Sequence, residues 1–132
     1  MMREIKFRAW HTKLKVMEFW GIGDINDDGS ICTFPTGEVA KMPQMQYTGL
    51  KDRNGVEIYE GDIVKVYNDA ELEETIHQIR YMINHFYPAF DLVPALDTES
   101  NGFSAIYIGD FGEIEVIGNI YENPELLVDK VV

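Results

Sequence analysis

Asp24-Ile25-Asn26-Asp27-Asp28-Gly29-Ser30-Ile31 is the stretch whose residue types and spacing come nearest to a known chemistry. Oxygen-bearing side chains at its first, third and fifth positions, glycine at the sixth and isoleucine at the eighth repeat the opening of a calcium-binding loop. There the glycine lets the chain wrap the ion. The twelfth position should bring a bidentate glutamate, and it is Pro35. Calcium takes about six to eight oxygens, so that exchange removes two of them. The flanking segments also read as strands where a calcium loop needs helices. The stretch is therefore expected to be a polar loop between strands, with Asp-Asp-Gly supplying a positive-φ position. Asp24, Asn26 and Asp28 remain an incomplete ligand set, and no metal or cofactor is expected.

The other reactive side chains are scattered. His11, His77 and His85 fall in different elements, and no Cys or His pair sits at metal-ligand spacing. His77 alternates with Thr75 and Ile79, as a surface or half-buried sheet histidine would. Ser30, Ser100 and Ser104 lie in no Gly-x-Ser-x-Gly elbow, and Cys32 has no recognisable histidine signature. Glu60 with Asp62, and Glu113 with Glu115, are carboxylate pairs of the kind used for acid–base work. In so acidic a chain such pairs arise by chance, and solvated faces are the plainer reading. Gly21, Gly23 and Gly29 are followed by no Lys-Ser or Lys-Thr, so they form no phosphate cradle. Lys6, Arg8 and Trp10 form a short basic–aromatic strip of the type that stacks on a base, although packing is the commoner reason for a tryptophan at a strand end.

The elements that must position these residues are mostly strands. Glu4 to Trp10 alternates charged and apolar side chains with the period of a half-buried strand. His11 to Lys15 turns into Val16–Trp20, making a first hairpin, and the loop Gly21 to Ser30 follows. Ile31 to Phe34 is short and apolar. Two β-type runs, Gln46 to Leu50 and Val56 to Tyr59, flank Lys51-Asp52-Arg53-Asn54-Gly55, in which Asn54-Gly55 is a strong hairpin signal because both residues tolerate positive φ. Glu60-Gly61-Asp62 then turns into Ile63-Val64-Lys65-Val66, a run apolar enough to be covered on both faces. Thr75 to Phe86 suits either a helical stripe or a strand, and the β surroundings favour a strand. Tyr87 to Leu96, Phe103 to Ile108 and Ile114 to Ile120 read as further strands. Asn123-Pro124-Glu125 opens a last helical turn, with Asn123 as its N-cap.

Hydrophobic residues make up 45% of the 132, enough for a core in a chain the size of one domain. The lone cysteine excludes an intrachain disulfide and suits a reducing compartment. The first residues read as neither a signal peptide nor a membrane anchor, so the chain is expected to be soluble and cytoplasmic. The net charge is −12, unevenly spread. Residues 1–20 carry five basic and two acidic side chains, a balance of +3, and the remainder carries six basic and twenty-one acidic, a balance of −15. Such a surface repels phosphate backbones and disfavours direct nucleic-acid binding.

Three segments resemble the signatures of the YopX family of bacteriophage and prophage proteins. They are Met2-Arg3-Glu4-Ile5-Lys6-Phe7-Arg8-Ala9-Trp10, then Gln46-Tyr47-Thr48-Gly49-Leu50-Lys51-Asp52 with Ile58-Tyr59-Glu60-Gly61-Asp62-Ile63-Val64, and last Ile114-Glu115-Val116-Ile117-Gly118-Asn119-Ile120-Tyr121-Glu122-Asn123-Pro124-Glu125-Leu126-Leu127. The resemblance implies a mostly β protein with an SH3-like barrel, encoded by a phage and working in a bacterial host cell. It supplies no catalytic residues. The resulting expectation is an all-β chain: an N-terminal β-extension over 1–44, and an SH3-like, partly open barrel over 45–132 ending in a short helical turn. The two are taken as one structural unit overall.

The functional expectation is a non-catalytic protein-binding or adaptor module. Lys6, Arg8, Trp10, Tyr47 and Asp62 are its candidate interaction surface. One alternative is an enzyme acting on a nucleotide or nucleic acid through acidic residues and a metal. Another is an acidic DNA mimic that blocks a host DNA-binding protein. The partner is expected to be a host or phage protein, with no membrane. The opposite charges of the hairpin and the remainder also imply weak or salt-favoured homo-oligomerisation, mediated partly by residues 3–20.

Overall fold

The computed structural model describes residues 4–28, 42–68, 72–81, 89–93, 103 and 112–128. The chain divides into two compact units, Met1–Gly49 and Leu50–Val132. It is all-β, with one sheet curled into a half-barrel. In order come β1 (Lys6–His11), β2 (Val16–Gly21), a 3-10 turn (Ile22–Asp24), β3 (Gln44–Lys51) and β4 (Glu57–Tyr59). They are followed by β5 (Asp62–Asn68), β6 (Glu73–Tyr81), β7 (Phe90–Val93), β8 (Gly112–Asn119) and a one-turn helix α1 (Glu125–Val128). Hydrogen bonds order the strands β2-β1-β3-β4 in one sheet and β7-β6-β5-β8 in the other.

In the first unit, alternation along β1 puts Phe7 and Ala9 on one face and Lys6, Arg8 and Trp10 on the other. Phe7 pairs with Trp20 of β2 and Gln46 of β3. The Phe7 and Trp20 rings stack with centroids 4.6 Å apart. Trp20 also donates its indole Nε1–H to Gln44 Oε1 at 2.9 Å, so its polar tip is satisfied while its body packs on buried Ala9 beside Met42. The β1–β2 turn is held from within by His11. Its carbonyl accepts the Lys15 amide at 2.7 Å, and its ring Nδ1 accepts the Leu14 amide at 3.0 Å. This lets Lys15 occupy φ 56°, a region lysine rarely adopts.

The second unit is built on Ile58, Val64, Val66, Ile79, Leu92, Phe103 and Ile114, with Leu50, Phe90 and Val116 against them. Each fully buried aliphatic side chain of this kind contributes about 1.5–3 kcal/mol through removal from water. Most of β5 alternates, with Val64 and Val66 inward and Lys65 between them half-exposed, so the run is not covered on both faces throughout. Ile63 and Val64 are both buried because the register with β8 shifts between them: Ile63 pairs with Gly118, and Val64 with Val116. A bulge re-aims one side chain and puts two neighbours out of water.

Several local expectations change. Glu73–Tyr81 is a strand, as favoured over a helix, and the rest of Thr75 to Phe86 lies outside the described residues. Phe103, the described residue of an expected strand, is helical and buried. Asn54 does not share positive φ with Gly55 (82°), since the described non-glycine residues there are Lys15 and Leu72. The Asn54-Gly55 hairpin closes instead by a Gly55 amide to Asp52 carbonyl bond of 3.0 Å, a turn ending in a left-handed glycine. Asn123 starts α1 through its carbonyl, which accepts the Leu126 amide at 3.1 Å, but its side chain turns back to accept the Asn119 amide at 3.2 Å. That backward reach is why residue 118 is glycine. A Cβ on Gly118 would lie 2.5 Å from Asn123 Oδ1 and 2.8 Å from its Cβ.

Gly118→Ala is therefore expected to destabilise the fold by about 1–3 kcal/mol, the range for overpacking a fitted contact. Urea denaturation measures it. The double substitution Gly118→Ala/Asn123→Ala should cost less than the sum of the two single changes, because the second removes the atoms that the first strikes.

Candidate interaction surface

The residues named from the sequence fall into very different environments. On β1, Arg8 is buried, while Lys6 and Trp10 are half-exposed. Lys6 Nζ lies 2.6 Å from Glu4 Oε1 and 5.0 Å from the centroid of the Tyr47 ring. Tyr47 is itself buried. The basic–aromatic strip is thus largely folded into its own unit, and Lys6 and Trp10 are the members that reach solvent. Asp62 is 2% exposed, and its Oδ2 accepts the Tyr59 amide at 2.7 Å. This closes the turn through Glu60-Gly61, where Gly61 takes φ 86°. The Gly61 amide donates to the Ile79 carbonyl at 2.8 Å, and its carbonyl accepts the Ile120 amide at 2.9 Å. A carboxylate so placed builds a turn.

Asp24 ends the 3-10 turn, and its Oδ2 accepts the Gly21 amide at 2.8 Å. Asn26 and Asp28 are exposed, and Gly29 to Pro35 lie outside the described residues. Among the described residues no group of three or more His, Cys, Asp or Glu side chains is placed to hold a metal ion. His77, expected at or near the surface, is 3% exposed, with ring Nε2 2.6 Å from Thr75 Oγ1. The alternation that placed it on a sheet face was right, but that face is the inner one. His85, Cys32, Ser30, Ser100 and Ser104 lie outside the described residues.

Sequence reasoning passed over Asp52, Asp91 and Asn119, all buried. Asp52 Oδ1 accepts the amides of Asn54 (2.8 Å) and Val56 (2.9 Å), and Oδ2 that of Val116 on β8 (2.9 Å). Asp91 Oδ1 accepts the amides of Leu92 at 2.7 Å and Phe103 at 3.2 Å. Asn119 Oδ1 accepts those of Tyr121 at 3.0 Å and Glu122 at 2.9 Å. The signal was present at Asp52-Arg53-Asn54-Gly55, since an aspartate two residues before an asparagine turn is placed to form an Asx turn.

Two surface features stand out among the described residues. Over β5, β6 and β8 a small depression of about 60 Å³ is lined by Arg53, Lys65, Tyr67, Glu74, Glu113 and Glu115. The pairing of Tyr67 with Glu74 and Glu113, and of Lys65 with Glu115, sets these side chains side by side. Its charges largely answer one another: Arg53 Nη1 lies 2.9 Å from Glu113 Oε2, and Asn54 Nδ2 donates to Glu115 Oε2 at 3.4 Å. The other surface is the N-terminal hairpin. There Ile5, Leu14, Val16 and Phe19 are 47%, 67%, 42% and 55% exposed within fifteen residues of chain.

A β-sheet chain whose buried Asp52, Asp62 and Asn119 are spent on its own turns is in architecture a small all-β module. It belongs to the YopX family: that family's model, described as YopX protein, matches residues 6–128. In fold and sequence the chain is similar to protein EF1440 from Enterococcus faecalis, a solved structure. The two are 31% identical, the match covers 93% of this chain and 97% of that one, and the TM-score is 0.57. Comparison with curated proteins gave no match. Among the described residues no helix is long and apolar enough to cross a membrane.

Asp52→Ala is expected to destabilise the chain by about 1.5–3 kcal/mol, because it removes the acceptor of three backbone amides, one of them on β8. Arg53→Ala, which breaks a half-exposed ion pair, should cost no more than about 1 kcal/mol. Paired urea titrations separate the two, and equal losses would contradict this division of roles.

Proposed function

We propose that this chain is a non-catalytic protein-binding module of a phage or prophage, acting in the bacterial cytoplasm through its N-terminal hairpin. The observation that carries the reading is the exposure of Leu14, Val16 and Phe19 on a hairpin of net positive charge, in a chain of net charge −12. Val16 and Phe19 lie on opposite faces of the hairpin and Leu14 at its tip, and exposed apolar side chains so close together in one element suit contact with a protein that closes around it. His11 holds the tip from inside, so little ordering entropy is lost when a partner closes on it. Membership of the YopX family supports phage origin by association, since fold alone does not fix function.

Capture from phage-infected bacteria with the full chain as bait tests this directly. Leu14→Glu/Val16→Glu is expected to lower recovery of the bound protein about ten-fold or more, as loss of a central apolar anchor does. Glu74→Gln, in the depression of the other unit, should leave recovery unchanged. Turnover of a nucleotide or nucleic acid that is abolished by changing one acidic residue would overturn the proposal.

A further inference from the structure

We infer that the outer face of β5, β6 and β8 holds an arginine side chain from a partner protein's extended segment, seated on Tyr67 and paired with Glu74. This site lies in the other unit from the hairpin and goes beyond the role proposed for it. The strand register builds it. Tyr67 of β5 stands opposite Glu74 of β6 on one side and Glu113 of β8 on the other. Opposed residues share a face, and neighbouring strands lie about 4.8 Å apart, so the ring is flanked by a carboxylate on each side. Val64 and Val66 belong to the core, which by alternation turns Lys65 and Tyr67 outward.

Five charged side chains line the depression over this face, and four of them meet an opposite charge. Arg53 Nη1 lies 2.9 Å from Glu113 Oε2, and Lys65 stands across from Glu115. Glu74 is left over. It is exposed, and among the described residues no ion pair or hydrogen bond reaches its carboxylate. Tyr67 is half-exposed, and its hydroxyl likewise has no hydrogen bond among the described residues. The depression is open to water, since the side chains of Arg53 and Glu113 are 49% and 52% exposed.

An unanswered carboxylate beside the accessible ring of a tyrosine suits a cation, and a guanidinium best. It is planar, so it stacks on the ring while donating two parallel N–H bonds to the carboxylate. The field of the whole unit favours the same sign. Leu50–Val132 hold five basic and seventeen acidic side chains, a balance of −12, so the entire net charge belongs to this unit. An anionic group would be repelled, and both cations of the depression already face carboxylates. Its volume of about 60 Å³ is far below the roughly 300–1,000 Å³ of a small-molecule pocket, so it takes one side-chain tip presented by a larger partner.

NMR titration of the isotope-labelled full chain with the blocked peptide acetyl-Gly-Gly-Arg-Gly-Gly-amide tests the inference, and the spectrum itself verifies that each variant is folded. Salt is held at about 0.15 M, where attraction beyond about 8 Å is screened. The amides of Tyr67, Glu74 and Glu113 are expected to shift and saturate. The lysine counterpart of the peptide should bind more weakly, and the uncharged citrulline counterpart should give no saturable shift. Glu74→Gln and Tyr67→Leu should each weaken arginine binding about five-fold. Glu73→Gln removes the same charge one residue away, on the opposite face of β6, and should leave binding unchanged. No saturable shift, or an equal loss from Glu73→Gln, overturns the site and leaves only general attraction to an acidic unit. Shifts of the same three amides that track protein concentration before peptide is added would assign the face to a second copy, and overturn a foreign segment. Leu14→Glu/Val16→Glu should bind the peptide as the wild type does, so this site and the hairpin stand or fall separately.

Discussion

The second unit depends on one carboxylate. Asp52 sits at the end of β3 and is 8% exposed, and its two oxygens accept backbone amides from two places in the chain. Asn54 and Val56 belong to its own hairpin, and Val116 belongs to β8, sixty-four residues away. The Arg53 amide donates to the Ile114 carbonyl at 3.0 Å, which adds a second tie between the same two elements. A hydrogen bond to a charged acceptor contributes about 1.5–3 kcal/mol. The constraint is therefore long-range as well as local. It fixes the hairpin's conformation and its attachment to the sheet together.

The same device recurs wherever the chain must turn sharply. Asp62 closes the β4–β5 turn, and the backbone of Gly61 then ties it to β6 and to the residue after β8. Asn119 and Asn123 exchange side-chain and backbone hydrogen bonds at the end of β8, with Asn119 Nδ2 donating to Glu122 Oε1 at 3.0 Å. These residues fall in the central and C-terminal segments that carry the family resemblance. Their chemistry is thus architectural. Short polar side chains suit it because they reach a backbone amide two to four residues away without leaving the turn.

How far the sequence reveals this differs from element to element. The strands of the second unit were legible from alternation, since Val64, Val66, Ile79 and Ile114 all report a single buried face. The ambiguous stretch from Thr75 resolved as a strand because Ile79 pairs with Leu92 and Lys65 with Ile76, partners that no local periodicity could reveal. The burial of Arg8, Tyr47, Asp62 and His77 was not legible. Polarity predicts exposure on average, and these four are held inside by contacts that exist only once the strands have paired. The exposed face of the hairpin was half legible. Its apolar residues were evident, while which of them faces water is decided by the stacking of Phe7 on Trp20 and the packing of Ala9, which leave Phe19 outside.

Native-state hydrogen exchange, read residue by residue in the NMR spectrum, tests most directly that buried carboxylates tie the turns to the sheets. The amides of Asn54, Val56 and Val116 all donate to Asp52, so if that carboxylate ties the hairpin to the sheet they should open only with the unit as a whole. The account predicts protection equal to that of Val64 and Ile79 in the core. Rapid exchange at Asn54 and Val56, with Val64 and Ile79 still protected, would mean that the hairpin opens by itself, and would contradict the account.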